Sequence, residues 1–231
     1  MDASDLRAFA EAVEPCLRWK YDPVTAARLP DAERLDALEE WVARVQEEWG
    51  ACGRMVVVDE VPLGYVLYAP PAHLPGLGDV ATGPPSADAV VLAEMYVLPE
   101  ARRAGVGKLL VHAAAKDLVL REVAALETFG TYADVAAAAE TAETAPPGRT
   151  DHLLPVGFLE SVGFATHRTH STTPRMRMDL RAARSWMDEV ELALERLVGA
   201  VRPVIRPRFK PRFKPVAKPQ TRSLRSGPRA P

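Results

Sequence analysis

The chain has little of what would mark it as secreted, membrane-spanning or metal-dependent. Only two of its 231 residues are cysteine, Cys16 and Cys52. That is too few for the disulfide framework of a small extracellular scaffold, and it predicts reduced thiols and a cytoplasmic location. No apolar run approaches the length that crosses a bilayer, and the opening Met1-Asp2-Ala3-Ser4-Asp5 has no basic-then-apolar export pattern. Histidine is scarce, at five. His167 and His170 stand three apart on a predicted strand and so face opposite sides, with no cysteine or carboxylate cluster near them. No metal is expected there. Acidic charge is missing from one end: residues 202–231 hold ten Lys or Arg and no Asp or Glu. The formal net charge of -2 therefore conceals a split, because the remaining 19 basic and 31 acidic residues leave -12 on the rest of the chain.

What is present suits one catalytic-sized domain with an appendage. The apolar content of 48% over this length can bury a sizeable core. Leu6, Phe9, Ala10, Val13 and Leu17 recur at helical spacing and predict an opening helix. Asp31 can cap a second helix, with Leu35, Leu38, Val42, Val45 and Trp49 on one face and Gly50 ending it. Between them lies a loop, 16–23, rich in aromatic residues; Trp19, Tyr21, Trp41 and Trp49 either wall a pocket or belong to the core. Segments 54–59 and 63–68 read as a hairpin around Glu60-Val61-Pro62. The Pro- and Gly-rich 70–85 reads as a surface loop, 90–98 as a strand, 107–122 as a helix and 124–129 as another strand. A helix over 156–162 precedes Gly163-Phe164 and a last strand pair, 164–169 and 175–180.

The junction between the strand at 90–98 and its helix carries the chemistry. It reads Val97-Leu98-Pro99-Glu100-Ala101-Arg102-Arg103-Ala104-Gly105-Val106-Gly107-Lys108. Glycines let a backbone approach an anion, the first amides of a helix point outward unpaired, and Arg102, Arg103 and Lys108 add positive charge. A Walker loop would need glycine where Arg102 stands and a hydroxyl residue where Leu109 stands. A dinucleotide fingerprint would need a third glycine where Leu110 stands. What remains, Arg102-x-x-Gly105-x-Gly107 after Val97-x-Pro99, resembles the acetyl-CoA-binding motif of the GNAT superfamily of N-acetyltransferases. The element order over about 4–180 is similar to that fold, as is Phe158-Leu-Glu-Ser-Val-Gly163-Phe164 to its penultimate helix and strand. The family opens with a strand for which this chain has almost no room.

The resemblance implies a mixed α/β, largely antiparallel sheet flanked by helices, and acetyl-CoA as co-substrate without a metal. It implies that 94–98 pairs with the pantetheine arm and that an amide of Met95, Tyr96 or Val97 polarises the thioester oxygen. Arg102, Arg103, Ala104, Gly105, Val106, Gly107 and Lys108 would hold the pyrophosphate. Glu94, on the same side of its strand as Tyr96, is the first candidate for the general base, or else it is merely solvated. Glu127 on the next strand carries the same two readings. Many relatives place a tyrosine, as general acid, where this chain has Leu159. Tyr132, His167 and His170 are the replacements available, and His112 takes the surface or packing role usual for a helical histidine.

Three segments lie outside that pattern. The connection 131–152 is long enough to be a lid over the substrate or a disordered loop. Ser185 and Asp188 open a helix with Met187, Val190, Leu194, Leu197 and Val201 on one face, which packs back or forms a dimer contact. The repeat Pro207-Arg-Phe-Lys-Pro211-Arg-Phe-Lys-Pro215 blocks helix and reads as a disordered basic tail, or as a binder of nucleic acid, anionic lipid or an acidic partner. The domain division expected is thus 1–180, 181–202 and 203–231. The function expected is acetyl transfer to a small-molecule or peptide amine, with a cationic acceptor favoured by the acidic domain. The alternatives are an acyl-CoA-binding module with little turnover and a nucleic-acid-associated protein acting through its tail.

Overall fold

The computed structural model describes residues 1–10, 12–132 and 153–183. The expected lid beyond Tyr132, the helix over 185–201 and the basic tail lie outside the described residues. Among the described residues seven strands form one sheet in the order β1-β2-β3-β4-β7-β6, with β5 paired to β4. They are β1 (Gly53–Val58), β2 (Val61–Ala69), β3 (Ala89–Val97), β4 (Ala125–Thr131), β5 (Leu154–Pro155), β6 (Ala165–Arg168) and β7 (Arg175–Asp179). The β1/β2, β2/β3, β4/β7 and β6/β7 pairs are antiparallel, whereas β3/β4 and β4/β5 are parallel. The sheet is therefore mixed and largely antiparallel.

Alternation along the strands supplies two apolar faces, and each is covered. On one face Val66, Tyr68, Val90, Leu92, Leu126, Met176 and Met178 pack with α3 (Val106–Leu120) and α4 (Val156–Ser161). Helix α3 contributes Val106, Leu110, Val111, Ala114 and Leu118, spaced three and four apart. On the other face Tyr65, Leu67, Ala69, Val91, Ala93 and Phe129 pack with α2 (Arg34–Glu48) and an opening 3₁₀ helix, Ala3–Phe9. Helix α2 buries Ala37, Leu38, Trp41, Val42 and Val45 and stops at Gly50, whose φ of 102° a side chain would strain. Arg121, just past α3, ties the two layers: its guanidinium lies 3.5 Å from the Trp49 ring centre and donates to the carbonyls of Trp49 and Ala51.

Several elements differ from the sequence expectation for identifiable reasons. The opening helix is a short 3₁₀ piece that buries only Leu6 and Phe9. The hairpin turns on Asp59 and Glu60, with φ of 50° and 65°, so Val61 and Pro62 already belong to β2. Two left-handed residues give the twist that a tight hairpin needs, here without the glycine that normally signals it. A short helix, α1 (Pro23–Arg28), starts inside the expected aromatic loop because the Asp22 carboxylate accepts from the amides of Val24 and Thr25. The stretch 70–85 is not wholly surface: Leu74, Leu77 and Thr82 are buried, and Trp41 donates its indole N–H to the His73 carbonyl. Trp19 and Trp41 are fully buried core residues.

Candidate functional site

The site grows from a fault in the sheet. Strands β3 and β4 stay in register only over Ala89, Val90 and Val91 against Ala125, Leu126 and Glu127. The carbonyl of Leu92 accepts instead from the Thr128 hydroxyl at 3.0 Å. Beyond this tie the strands part, and β4 finds a new partner in β5 at Gly130 and Thr131. On its other edge β3 shifts register against β2, with Leu67 opposite Glu94 and Tyr68 opposite Leu92, so Ala93 is the extra residue of a bulge.

The direction of the strand amides follows from one bond. Leu98 donates its N–H to the Leu63 carbonyl on the β2 side at 2.9 Å. Strand amides alternate, so that of Tyr96 also faces β2, while those of Met95 and Val97 face the parted side. Among the three amides the sequence nominates, Met95 and Val97 line the opening and Tyr96 does not. Close approach maintains this edge: a Cβ on Gly64, opposite Val97, would lie 2.5 Å from the Tyr96 carbonyl oxygen.

The turn after β3 stands beside the opening. Pro99–Ala101 form a 3₁₀ turn, and Arg102 bends back so that its Nε donates to the Val97 carbonyl at 3.1 Å. Arg103 and Gly105 adopt φ of 64° and 86°, and α3 begins at Val106. The Leu109 amide bonds to the Gly105 carbonyl, so the amides of Val106, Gly107 and Lys108 precede the helical ladder, and no side chain caps them. These donors carry the positive end of the helix dipole, and Arg102, Arg103, Ala104 and Lys108 surround them at the surface. Phe158 of α4 and Met95 of β3 converge on Gly107, where a Cβ would lie 3.3 and 3.5 Å from them.

The two carboxylates occupy different environments. Glu94 is buried; its Oε2 lies 2.5 Å from Lys20 Nζ, and its Oε1 accepts from the Tyr65 hydroxyl. It is therefore not the solvated residue that one sequence reading allowed. Burial, and then the Glu94 charge, push the Tyr65 hydroxyl well above its usual range. Glu127 is wholly buried and accepts from the Ser86 hydroxyl and amide at 2.6 and 3.0 Å and from Arg177 at 3.0 Å, with Arg175 at 3.7 Å. Burial raises its carboxyl, but these donors outweigh burial and hold it below the ordinary value. It faces these donors.

Tyr132 directly follows β4 and is exposed. Leu159 is fully buried in the core beneath α4. His167 is exposed, and the His170 ring nitrogen takes the amides of Thr172 and Thr173. Burial, with Lys108 nearby, lowers the pKa of His112. Among the described residues no three His, Cys, Asp or Glu side chains are grouped to hold a metal, and no helix is long and apolar enough to cross a membrane. A small apolar recess on the α2 face is lined by Leu6, Phe9, Val13, Leu35, Leu38 and Tyr65. Sequence reasoning missed Lys20 and Tyr65. Tyr65 at least shares the alternation of β2, but no periodicity relates Lys20 to a strand 74 residues away.

The acetyltransferase (GNAT) family model matches residues 13–143 of this chain. No match was found among curated proteins. Similar solved structures include the PaiA N-acetyltransferase of Thermoplasma acidophilum in complex with coenzyme A, at 13% identity and a TM-score of 0.48, covering 78% of this chain and 95% of that one. An N-acetyltransferase from Staphylococcus aureus Mu50 has 11% identity and a TM-score of 0.47, with coverage of 78% and 95%. The ribosomal-protein-S18-alanine N-acetyltransferase of Escherichia coli has 15% identity and a TM-score of 0.40, with coverage of 78% and 90%.

Proposed function

The chain belongs to the GNAT acetyltransferase family, and from that premise we propose that it moves an acetyl group from acetyl-CoA to a primary amine by direct attack. One observation carries this reading: a strand edge freed by the β3/β4 parting runs straight into an uncapped helix start ringed by Arg102, Arg103 and Lys108. An extended pantetheine arm has amides that can pair with such an edge as an added strand, and its pyrophosphate suits the free amides of Val106, Gly107 and Lys108. Gly105 supplies the left-handed turn and Gly107 the room. The Met95 and Val97 amides are the donors for the thioester oxygen, and a donor of that kind is worth about 2.7–4 kcal/mol in the transition state.

Glu94 is the proton acceptor in this reading. It directly follows the bulge and faces Lys20 and Tyr65. Glu127 is a positioning residue that joins β4 to β7 through Arg177. The thiolate leaves without a tyrosine at the usual place, because Leu159 is core. A thiol with a pKa of about 8.5 is a tolerable leaving group, and Tyr132, just past β4, is the candidate donor. The -12 charge outside the tail favours a cationic acceptor through encounter rate.

Titration of the purified chain with acetyl-CoA by calorimetry, beside a Gly105→Glu/Gly107→Glu variant, tests the reading. Binding to the first and not the second is expected. Binding to neither would end it. Loss of amine acetylation with added salt tests the cationic acceptor.

A second reading, an acyl-CoA-binding module with little turnover, is favoured by the burial of Leu159. It expects tight coenzyme binding with no transfer across a broad amine panel. For 203–231, outside the described residues, we propose salt-sensitive contact with nucleic acid or an acidic surface, separate from the domain at 1–180. Deleting the segment should abolish such retention and leave acetyl-CoA binding intact.

A further inference from the structure

Lys20 is a buried amine that the mechanism above does not use, yet it occupies the place such an amine would take. Its ammonium lies 2.5 Å from the Glu94 carboxylate and donates to the Cys16 carbonyl at 2.7 Å. The Trp41 ring centre is 5.7 Å away. A carboxylate, a carbonyl and an aromatic ring together make a recognition site for a primary ammonium group. Here the chain's own lysine fills it. Glu94 adjoins Met95, whose amide faces the parted strands, so the lysine nitrogen is bonded to the immediate neighbour of the proposed thioester donor. Lys20 also stands in a turn, between the opening 3₁₀ helix and α1, rather than in a regular element. Only 1% of its surface is exposed.

We propose that Lys20 is an acceptor within the chain, and that the enzyme acetylates its own Lys20 from acetyl-CoA when no external amine is present. The inference rests on the acetyl-CoA reading above. The Lys20 ammonium gives one proton to Glu94. The neutral amine then attacks the thioester carbon, a C–N bond forms and the C–S bond breaks. The second N–H proton passes to the departing thiolate, leaving acetyl-lysine and free coenzyme A. The product has no charge to pair with Glu94, so modification removes the buried ion pair.

The full chain is incubated with acetyl-CoA without acceptor, then followed by intact mass and peptide mapping. The Glu94→Gln and Gly105→Glu/Gly107→Glu variants run in parallel, with binding checked by calorimetry. The expected result is close to one acetyl group per chain, at Lys20, about 10²–10⁴-fold slower in Glu94→Gln and absent from the double glycine variant. An unmodified Lys20 in a chain that binds acetyl-CoA and acetylates external amines overturns self-acetylation and leaves the proposed function standing. Equal labelling of Lys20 in the double glycine variant also overturns it, since delivery then bypasses the turn. Failure of the parent chain to bind acetyl-CoA ends both readings.

Discussion

Lys20 Nζ and Glu94 Oε2 meet at 2.5 Å inside a layer that shields both side chains from water. A buried pair of this kind contributes little net stability while intact, because both charges were taken out of water, but losing one partner strands the other. Lys20→Met should therefore lower the unfolding free energy by about 3–5 kcal/mol. Lys20→Met/Glu94→Gln should lose less than the sum of the two single changes. Urea denaturation of the four proteins in a double-mutant cycle measures the coupling.

Glu94→Gln keeps the shape of the side chain and removes its ability to take a proton. Acetylation of an external amine should fall by about 10²–10⁴-fold, with acetyl-CoA affinity unchanged. An equal loss of affinity in calorimetry would assign Glu94 to binding instead.

The two glycines flanking β3 should respond differently to alanine. Gly105 has φ of 86° and open space around it, so Gly105→Ala carries only the left-handed backbone cost, about 1–2 kcal/mol. Gly64 has no such φ, but its Cβ would meet the Tyr96 carbonyl oxygen at 2.5 Å. That contact is with backbone and cannot be relieved by a rotamer change, so Gly64→Ala should cost more and disturb the β3 edge. Thermal melts of both variants, with acetyl-CoA titration of each, would show the order.

Acid should loosen the β4/β7 side of the sheet. Burial raises the Glu127 carboxyl, but Ser86, Arg177 and Arg175 together hold it below its ordinary value of about 4.3. Asp88 is lowered by Arg177 as well. A depressed folded-state pKa adds stability above the unfolded value, and that stability is lost as pH falls through the folded one. The wild type should thus lose stability below about pH 4.3, and Arg177→Met should flatten that part of the profile. Denaturation at a series of acidic pH values reads this directly.

The two thiols should also separate. Burial raises both thiols, that of Cys52 to about 11, but Cys52 lies wholly inside the core, whereas Cys16 is half-buried. In the native chain a thiol reagent at neutral pH should modify Cys16 alone, with Cys52 reacting only after unfolding. Peptide mapping before and after denaturant separates the two.

Helix α3 was legible because Leu110, Ala114 and Leu118 repeat at the helical period, and its start because Gly105 and Gly107 are positions where side chains are unwelcome. The strands β1, β2, β3, β4 and β7 were legible from alternation and β-branched content. The turn at Asp59-Glu60 was not, since neither residue ordinarily signals a left-handed conformation. Nor was the burial of Leu74 and Leu77, because the Pro- and Gly-rich composition of 70–85 reports a bent backbone and not what the bends cover.

By itself the sequence determined the family, the order of the main elements and the glycine turn before α3, all of which are encoded in runs of adjacent residues. Only the tertiary structure decided where β3 and β4 part, that the amides of Met95 and Val97 and not Tyr96 line the opening, and that Glu94 faces Lys20 while Glu127 faces Arg177. Each of these depends on register between segments distant in the chain. Residue spacing along a strand says which side a group is on, but not what the fold will bring to meet it.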